Sequence, residues 1–286
     1  GRHYPQTGAF DAAAKGRVAS GNGIAIALWA SQIAASGEDC EGLADVALRM
    51  GLSEEPAVRI ADGFRELRSE ADSKQCDVVL SSEYFSPLSR DAIRALAEVA
   101  LAAFDDVHAV IVLRDPTEFF ASAYQHQVRS NRREARSVAD FWRQAGRNLL
   151  TFRLETPLRY ADVLGDEHVS VVPYRTSTTT PNELIIDVLG ALSQRTAQEI
   201  ADLFEDGSLR PIVSPLNRSL GPIAVELLRR ANAVRVDPKR VRATSLSIER
   251  SMPHGHRFGV SIPDEIRMEL DALAGPILAE VGERLG

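Results

Sequence analysis

Arg114 and Ser122 stand eight residues apart in the stretch Val110-Ile-Val-Leu-Arg-Asp-Pro-Thr-Glu-Phe-Phe-Ala-Ser-Ala-Tyr124, where an apolar β-branched run gives way to a helical pattern. A guanidinium offers planar, paired donors that match an oxyanion such as phosphate, and a hydroxyl adds one directed hydrogen bond. Asp115 is a helix N-cap by type and Pro116 a first helical residue, so a helix starts immediately after Arg114. Helical spacing then aligns Glu118 or Phe119 with Ser122, His126 and Arg129, so that Arg114 and Ser122 can grip one anion between them. The same residues also fit a plain structural role, with Arg114 and Asp115 solvating and capping a helix start and Ser122 packing against a sheet.

Glu83 follows another apolar run, Asp77-Val-Val-Leu-Ser-Ser82. A carboxylate at a strand end can be partly desolvated and can take a proton from a substrate hydroxyl, or it can be a loop acid facing water. Arg129, Arg132, Arg133 and Arg136 form a local basic cluster that either holds an anion or solvates a helix-to-helix loop; Arg129 alone falls on the Ser122 stripe. Weaker patterns carry little. His254 and His256 have no nearby Cys or acidic partner for a metal site, and Gly21-Asn22-Gly23 has neither dinucleotide nor phosphate-loop spacing. Thr176–Thr180 reads as a polar turn, and no Gly-x-Ser-x-Gly elbow occurs.

The elements that must position these residues are three near-continuous apolar runs, Asp77–Ser82, His108–Leu113 and His168–Pro173, which suit strands of a parallel sheet covered on both faces. Helical spacing links them at Ser89–Phe104, Pro116–Arg129, Ser137–Leu150 and Pro157–Leu164, the grammar of a βαβ fold. Further helices are expected at about Asn22–Ser36 and Glu54–Ser69, and after Tyr174 at Pro181–Leu192, Thr196–Phe204, Asn217–Ala233 and Pro263–Leu285. Asp206–Pro215 and Val236–Val260 read as loops. The expectation is a three-layer α/β chain: one domain over residues 1–286, with its core at 77–192 and a helical extension at 193–286. Ligands of such sheets sit beyond the carboxyl ends of the strands, where Ser81-Ser82-Glu83, Arg114-Asp115-Pro116 and Tyr174-Arg175 fall.

With 33 Lys and Arg against 40 Asp and Glu, the net charge of −7 gives no global field toward nucleic acid or an anionic membrane, so an anion site must be local. The two cysteines, Cys40 and Cys76, make no disulfide framework and fit a reducing, cytoplasmic setting. No apolar run reaches the roughly 18 residues of a membrane span.

Taken together, Val79-Leu-Ser-Ser-Glu83, the Val110–Tyr124 stretch, Val171-Val-Pro-Tyr-Arg175 and Asn217–Asn232 resemble bacterial sulfotransferases in order and separation. The resemblance implies a P-loop-like sulfotransferase fold that moves a sulfuryl group from 3′-phosphoadenosine-5′-phosphosulfate to a hydroxyl or amine of a glycan, lipid or small molecule. It places Arg114 and Ser122 on the 3′-phosphate, leaves Arg129 as a further cofactor contact, makes Glu83 the base, and requires no metal. The family also opens with a strand and a Lys/Thr-rich loop for the 5′-phosphosulfate. Nothing in residues 1–76 has that form, and Tyr4-Pro-Gln-Thr-Gly8 is similar to the segment that follows the first helix, so the chain reads as lacking its first βα unit. The competing expectations are a P-loop kinase, which needs a nucleoside triphosphate and Mg²⁺, and a non-catalytic binding module of the same fold. The acceptor and the oligomeric state are not encoded in any of these patterns.

Overall fold

The computed structural model describes residues 2–3, 26–27, 30–31, 56–129, 134–174, 180–207, 222–234, 247 and 260–286. Arg132, Arg133, Arg175, His254, His256, Gly21–Gly23, Tyr4–Gly8 and the start of the Asn217–Asn232 segment lie outside them, as does most of the expected helix Asn22–Ser36, of which 26–27 and 30–31 are helical. Two compact units divide the chain, one from Gly1–Ala109 with Thr156–Ser170, the other from Val110–Glu155 with Val171–Gly286.

In the first unit, strand β1 (Arg2–His3) pairs in parallel with β2 (Asp77–Val78), Arg2 opposite Asp77 and His3 opposite Val78. Helix α1 (Pro56–Lys74) leads into β2, and α2 (Arg90–Leu101) follows it. Ser89 caps α2 by accepting from the Ala92 amide at 3.2 Å. The apolar stripe of α2 buries Ile93, Ala97 and Ala100, while Phe64 of α1 meets Phe104 edge-on at 6.4 Å. The expected strand Asp77–Ser82 is shorter than its apolar run: the ladder covers only Asp77–Val78, and Ser82 instead caps a 3₁₀ turn at Glu83–Phe85. A hydroxyl that accepts a backbone N–H two residues on offers the chain an alternative to a ladder.

The second unit contains the end of strand β3 (Ala109–Arg114) and helix α3 (Pro116–Arg129), whose bounds agree with the expectation. Next come α4 (Val138–Phe141), a π turn at Trp142–Gly146, and α5 (Arg147–Leu154). Helix α6 (Thr156–Leu164) belongs to the first unit and leads to β4 (Val169–Tyr174), which pairs with β3. Helices α7 (Pro181–Ser193), α8 (Ala197–Glu205), α9 (Pro222–Ala233) and α10 (Asp264–Leu285) follow. Thr180 is more than a polar turn residue. It accepts from the Glu183 amide at 3.2 Å while the Glu183 carboxylate accepts from the Thr180 amide at 2.6 Å, a reciprocal cap that Thr196 and Glu199 repeat on α8. The described chain is therefore mostly helical, with two short strand pairs, one of them parallel. Among the described residues no helix is long and apolar enough to cross a membrane.

The core of this unit gathers Leu113 of β3, Phe120, Tyr124 and Val128 of α3, Phe141 and Trp142, Leu150 and Leu154 of α5, Leu228 of α9 and Leu270 of α10. One helix was expected over Ser137–Leu150, whereas a π turn interrupts it and the helix runs on to Leu154. The turn is closely packed. Gly146 lies against the Phe120 ring, and a Cβ built there would stand 2.6 Å from Phe120 Cε2 and 3.0 Å from Trp142 Cε3. The Trp142 indole N–H meanwhile donates to Glu269 of α10 at 2.8 Å.

A polar knot closes the far end of α3. Tyr124 donates to the Arg136 carbonyl at 2.8 Å, and burial pushes its hydroxyl up to about 12. Asn232 donates from one amide nitrogen to the carbonyls of Val128 and Glu134, each at 3.0 Å, and Arg229 donates to the Ala135 carbonyl at 2.9 Å. Arg136 is engaged by Glu134, and its hydrogen bonds hold that carboxyl below the usual carboxylate range. Arg229 and Arg230 hold Glu226 down to about 2 by hydrogen bonds.

Replacing Gly146 by Ala is expected to lower the unfolding free energy by about 1–3 kcal/mol, because Phe120 and Trp142 are fully enclosed and cannot yield. Urea unfolding checks this: the midpoint falls with an unchanged slope.

Candidate functional site

Asp115 makes the corner on which the candidate site stands. Its amide donates to the carbonyl of Tyr174 at 2.9 Å, joining the ends of β3 and β4, and its own carbonyl accepts from Phe119 at 2.8 Å to start α3. Its carboxylate accepts from the amides of Thr117 and Glu118, both at 3.1 Å. The expected N-cap is present, with a chemical consequence. The donors of the α3 N-terminus already serve Asp115, so an anion held here must be gripped by side chains more than by helix amides.

Arg114, the last residue of β3, sends its guanidinium over the Tyr174 ring, 5.8 Å from the centroid, and its Nε lies 3.6 Å from Glu118 Oε2. Ser122 stands one turn above Glu118 on the same stripe, about 6 Å further along the axis, and is half-buried. The structure thus brings Arg114 beside Glu118 and Tyr174, with Ser122 one turn above Glu118 on α3. Arg129 is exposed in the last turn of α3, about 10 Å beyond Ser122 along the axis. An oxyanion gripped by Arg114 does not reach that far, so Arg129 can serve only a more distant group. Arg136, the other described member of the basic cluster, is committed to Glu134 and to Gln144, at 2.7 Å.

Arg153, not singled out by the sequence, braces the corner from α5. It donates to the Val112 carbonyl of β3 at 3.1 Å, and its guanidinium lies over the Phe119 ring at 5.8 Å; burial lowers its basicity. The only sequence signal was a lone cation within Leu149-Leu150-Thr151-Phe152-Arg153-Leu154. Glu118 falls on the expected stripe, and its carboxylate faces Arg114. A carboxylate beside Arg114 competes with any anion for the guanidinium.

Glu83 lies in the first unit, in the 3₁₀ turn that Ser82 caps through the Tyr84 amide at 3.2 Å. It is exposed and sits beyond the end of β2, so the expected strand-end position is not found, and of the two readings of its surroundings the structure has the loop acid facing water. Burial, and then the charge of Glu83, push the neighbouring Tyr84 hydroxyl up. Among the described residues no group of three or more His, Cys, Asp or Glu side chains is placed to hold a metal ion.

Set against protein-family models, curated proteins and solved structures, the chain matches none of them. The likeness to sulfotransferases rests on its residues alone.

Removing the Glu118 charge is expected to strengthen anion binding at Arg114. Glu118→Gln should tighten binding of 3′,5′-adenosine bisphosphate by up to about fivefold, the scale of a partly exposed ion pair. Isothermal titration of both proteins measures this, and weaker binding by the variant would place the anion elsewhere.

Proposed function

We propose that the chain is a sulfotransferase that uses 3′-phosphoadenosine-5′-phosphosulfate, with Arg114 and Ser122 gripping the 3′-phosphate. The observation that carries this reading is the corner itself: a strand ending in an arginine, a helix capped by the next residue, and a half-buried hydroxyl one turn beyond Glu118, whose carboxylate lies 3.6 Å from the guanidinium Nε. The donor set suits a phosphate, because a planar guanidinium and a hydroxyl both present N–H or O–H groups to it. Arg129 is assigned to an outer polar group of the nucleotide.

In this reading β3 and β4 belong to a parallel sheet with helices on both faces, as in P-loop-like sulfotransferases, and the protein works in a reducing cytoplasm. An acceptor oxygen or nitrogen attacks the sulfur, the bond from sulfur to the 5′-phosphate oxygen breaks, and adenosine 3′,5′-bisphosphate leaves. Glu83 takes the acceptor's proton. Its exposure leaves the carboxylate open to an acceptor hydroxyl or amine on a glycan, lipid or small molecule. No step requires a metal.

Nucleotide-dependent thermal shifts separate this from a kinase reading. The expected result is a melting temperature raised by adenosine 3′,5′-bisphosphate and unmoved by ATP with Mg²⁺; the reverse pattern assigns a kinase, and no shift with either leaves a module without nucleotide binding. Arg114→Ala should abolish the bisphosphate shift in a protein whose circular dichroism is unchanged, and retention of the shift would remove Arg114 from the site.

A further inference from the structure

The segment that carries Glu83 does not hold itself. Within it Phe85 donates to Ser82 at 3.4 Å, Ser86 to Glu83 at 3.3 Å and Leu88 to Phe85 at 3.4 Å, all long against the usual N–H···O distance of about 2.9 Å. Pro87 has no N–H to contribute. Three side chains of α6 supply what the turn lacks. Tyr160 donates its hydroxyl to the Phe85 carbonyl at 2.9 Å. Arg159 donates from Nη2 to the Ser86 carbonyl at 3.2 Å and from Nε to the Leu88 carbonyl, also at 3.2 Å. Thr156 donates to Ser86 at 3.3 Å and receives a further bond from Arg159 at 3.1 Å.

Arg159 is 3% exposed and Thr156 1%. Taking a guanidinium out of water costs several kcal/mol unless its donors are met, and here donors of this one meet the backbone of a single turn. Leu88, at the end of that turn, is 1% exposed, and Arg90 reaches Asp162 of α6 at 2.7 Å just beyond it. Every one of these contacts lies within the first unit. The result is a buried, fully hydrogen-bonded underside beneath an exposed carboxylate.

We propose that Thr156, Arg159 and Tyr160 form a clamp that fixes the turn carrying Glu83 and are positioning residues for proton transfer, a role that rests on Glu83 being the base. A carboxylate presented by a turn with long internal hydrogen bonds, capped at its start by Ser82, gains further direction from the side chains that anchor the carbonyls following it. Small misplacements of a reacting group have large kinetic effects. A merely structural role for the same residues predicts lost stability with an unchanged rate for the folded protein.

The test uses the full chain with 3′-phosphoadenosine-5′-phosphosulfate and water as the acceptor, reading release of inorganic sulfate. It compares Tyr160→Phe, Arg159→Lys, Arg159→Met and Glu83→Gln. Tyr160→Phe, which keeps the ring and removes one donor, is expected to lower kcat about tenfold at unchanged KM, with a melting temperature close to that of the parent. Arg159→Met should lose more, and Arg159→Lys should recover part. Hydrogen exchange of the amides at 83–88 should quicken in each clamp variant and stay unchanged in α3. A full rate in Tyr160→Phe beside a slow Glu83→Gln overturns the clamp and leaves Glu83 as the base. A full rate in Glu83→Gln removes the base assignment and the positioning role with it. If the parent releases no sulfate, exchange decides: quickening confined to 83–88 supports the clamp, and unchanged exchange in Tyr160→Phe overturns it.

Discussion

A strand must stop and a helix must start within one residue at Asp115, and much of the second unit follows from how that is done. The Asp115 amide completes the pairing of β3 with β4, while its carboxylate satisfies the first donors of α3. Once the helix axis is set there, the positions of Phe120, Tyr124 and Val128 in the core are set by helical spacing alone. The direction of Arg114 is set by the same reversal, since the last strand residue must pass beside the first helical turn, where Glu118 waits. Core and candidate site thus share one origin.

The arginines of this protein are used in different ways. Arg136 and Arg229 are paired tightly with carboxylates, Arg229 with Glu226 of the same helix at 2.7 Å. Arg153 and Arg159 donate to backbone carbonyls, fixing the chain at β3 and after Glu83. Arg114 differs from both, with an aromatic face on one side and a carboxylate at 3.6 Å on the other. Its guanidinium therefore faces a π surface and a negative charge together.

What the sequence made legible was what local chemistry decides. The bounds of α3 follow from Asp115 and Pro116, and those of α2 and α8 from Ser89 and Thr196, because caps and helical periodicity act over a few residues. The short β2 was not legible, since a run of Val79 and Leu80 has the same hydrophobicity whether or not a partner strand accompanies it. The tight fit of Gly146 involves a Phe120 ring far away in sequence, which no periodicity around Gly146 reports. At the candidate site the stripe from Arg114 to Ser122 could be counted from the sequence, but the exposure of Glu83 could not. The partners of Arg159 were hidden for another reason: backbone carbonyls belong to every residue, so an arginine that binds them has no complementary residue type to search for.

Asn232 reaches the carbonyls of Val128 and Glu134 with one nitrogen, and so joins the two sides of the stretch between them from a helix remote in sequence. The ends of that stretch are therefore closed by α9 as well as by the Glu134 amide, which donates to the Gln127 carbonyl at 3.1 Å. The placing of the α3 terminus against Glu134 is thus governed in part by a helix 98 residues further along the chain.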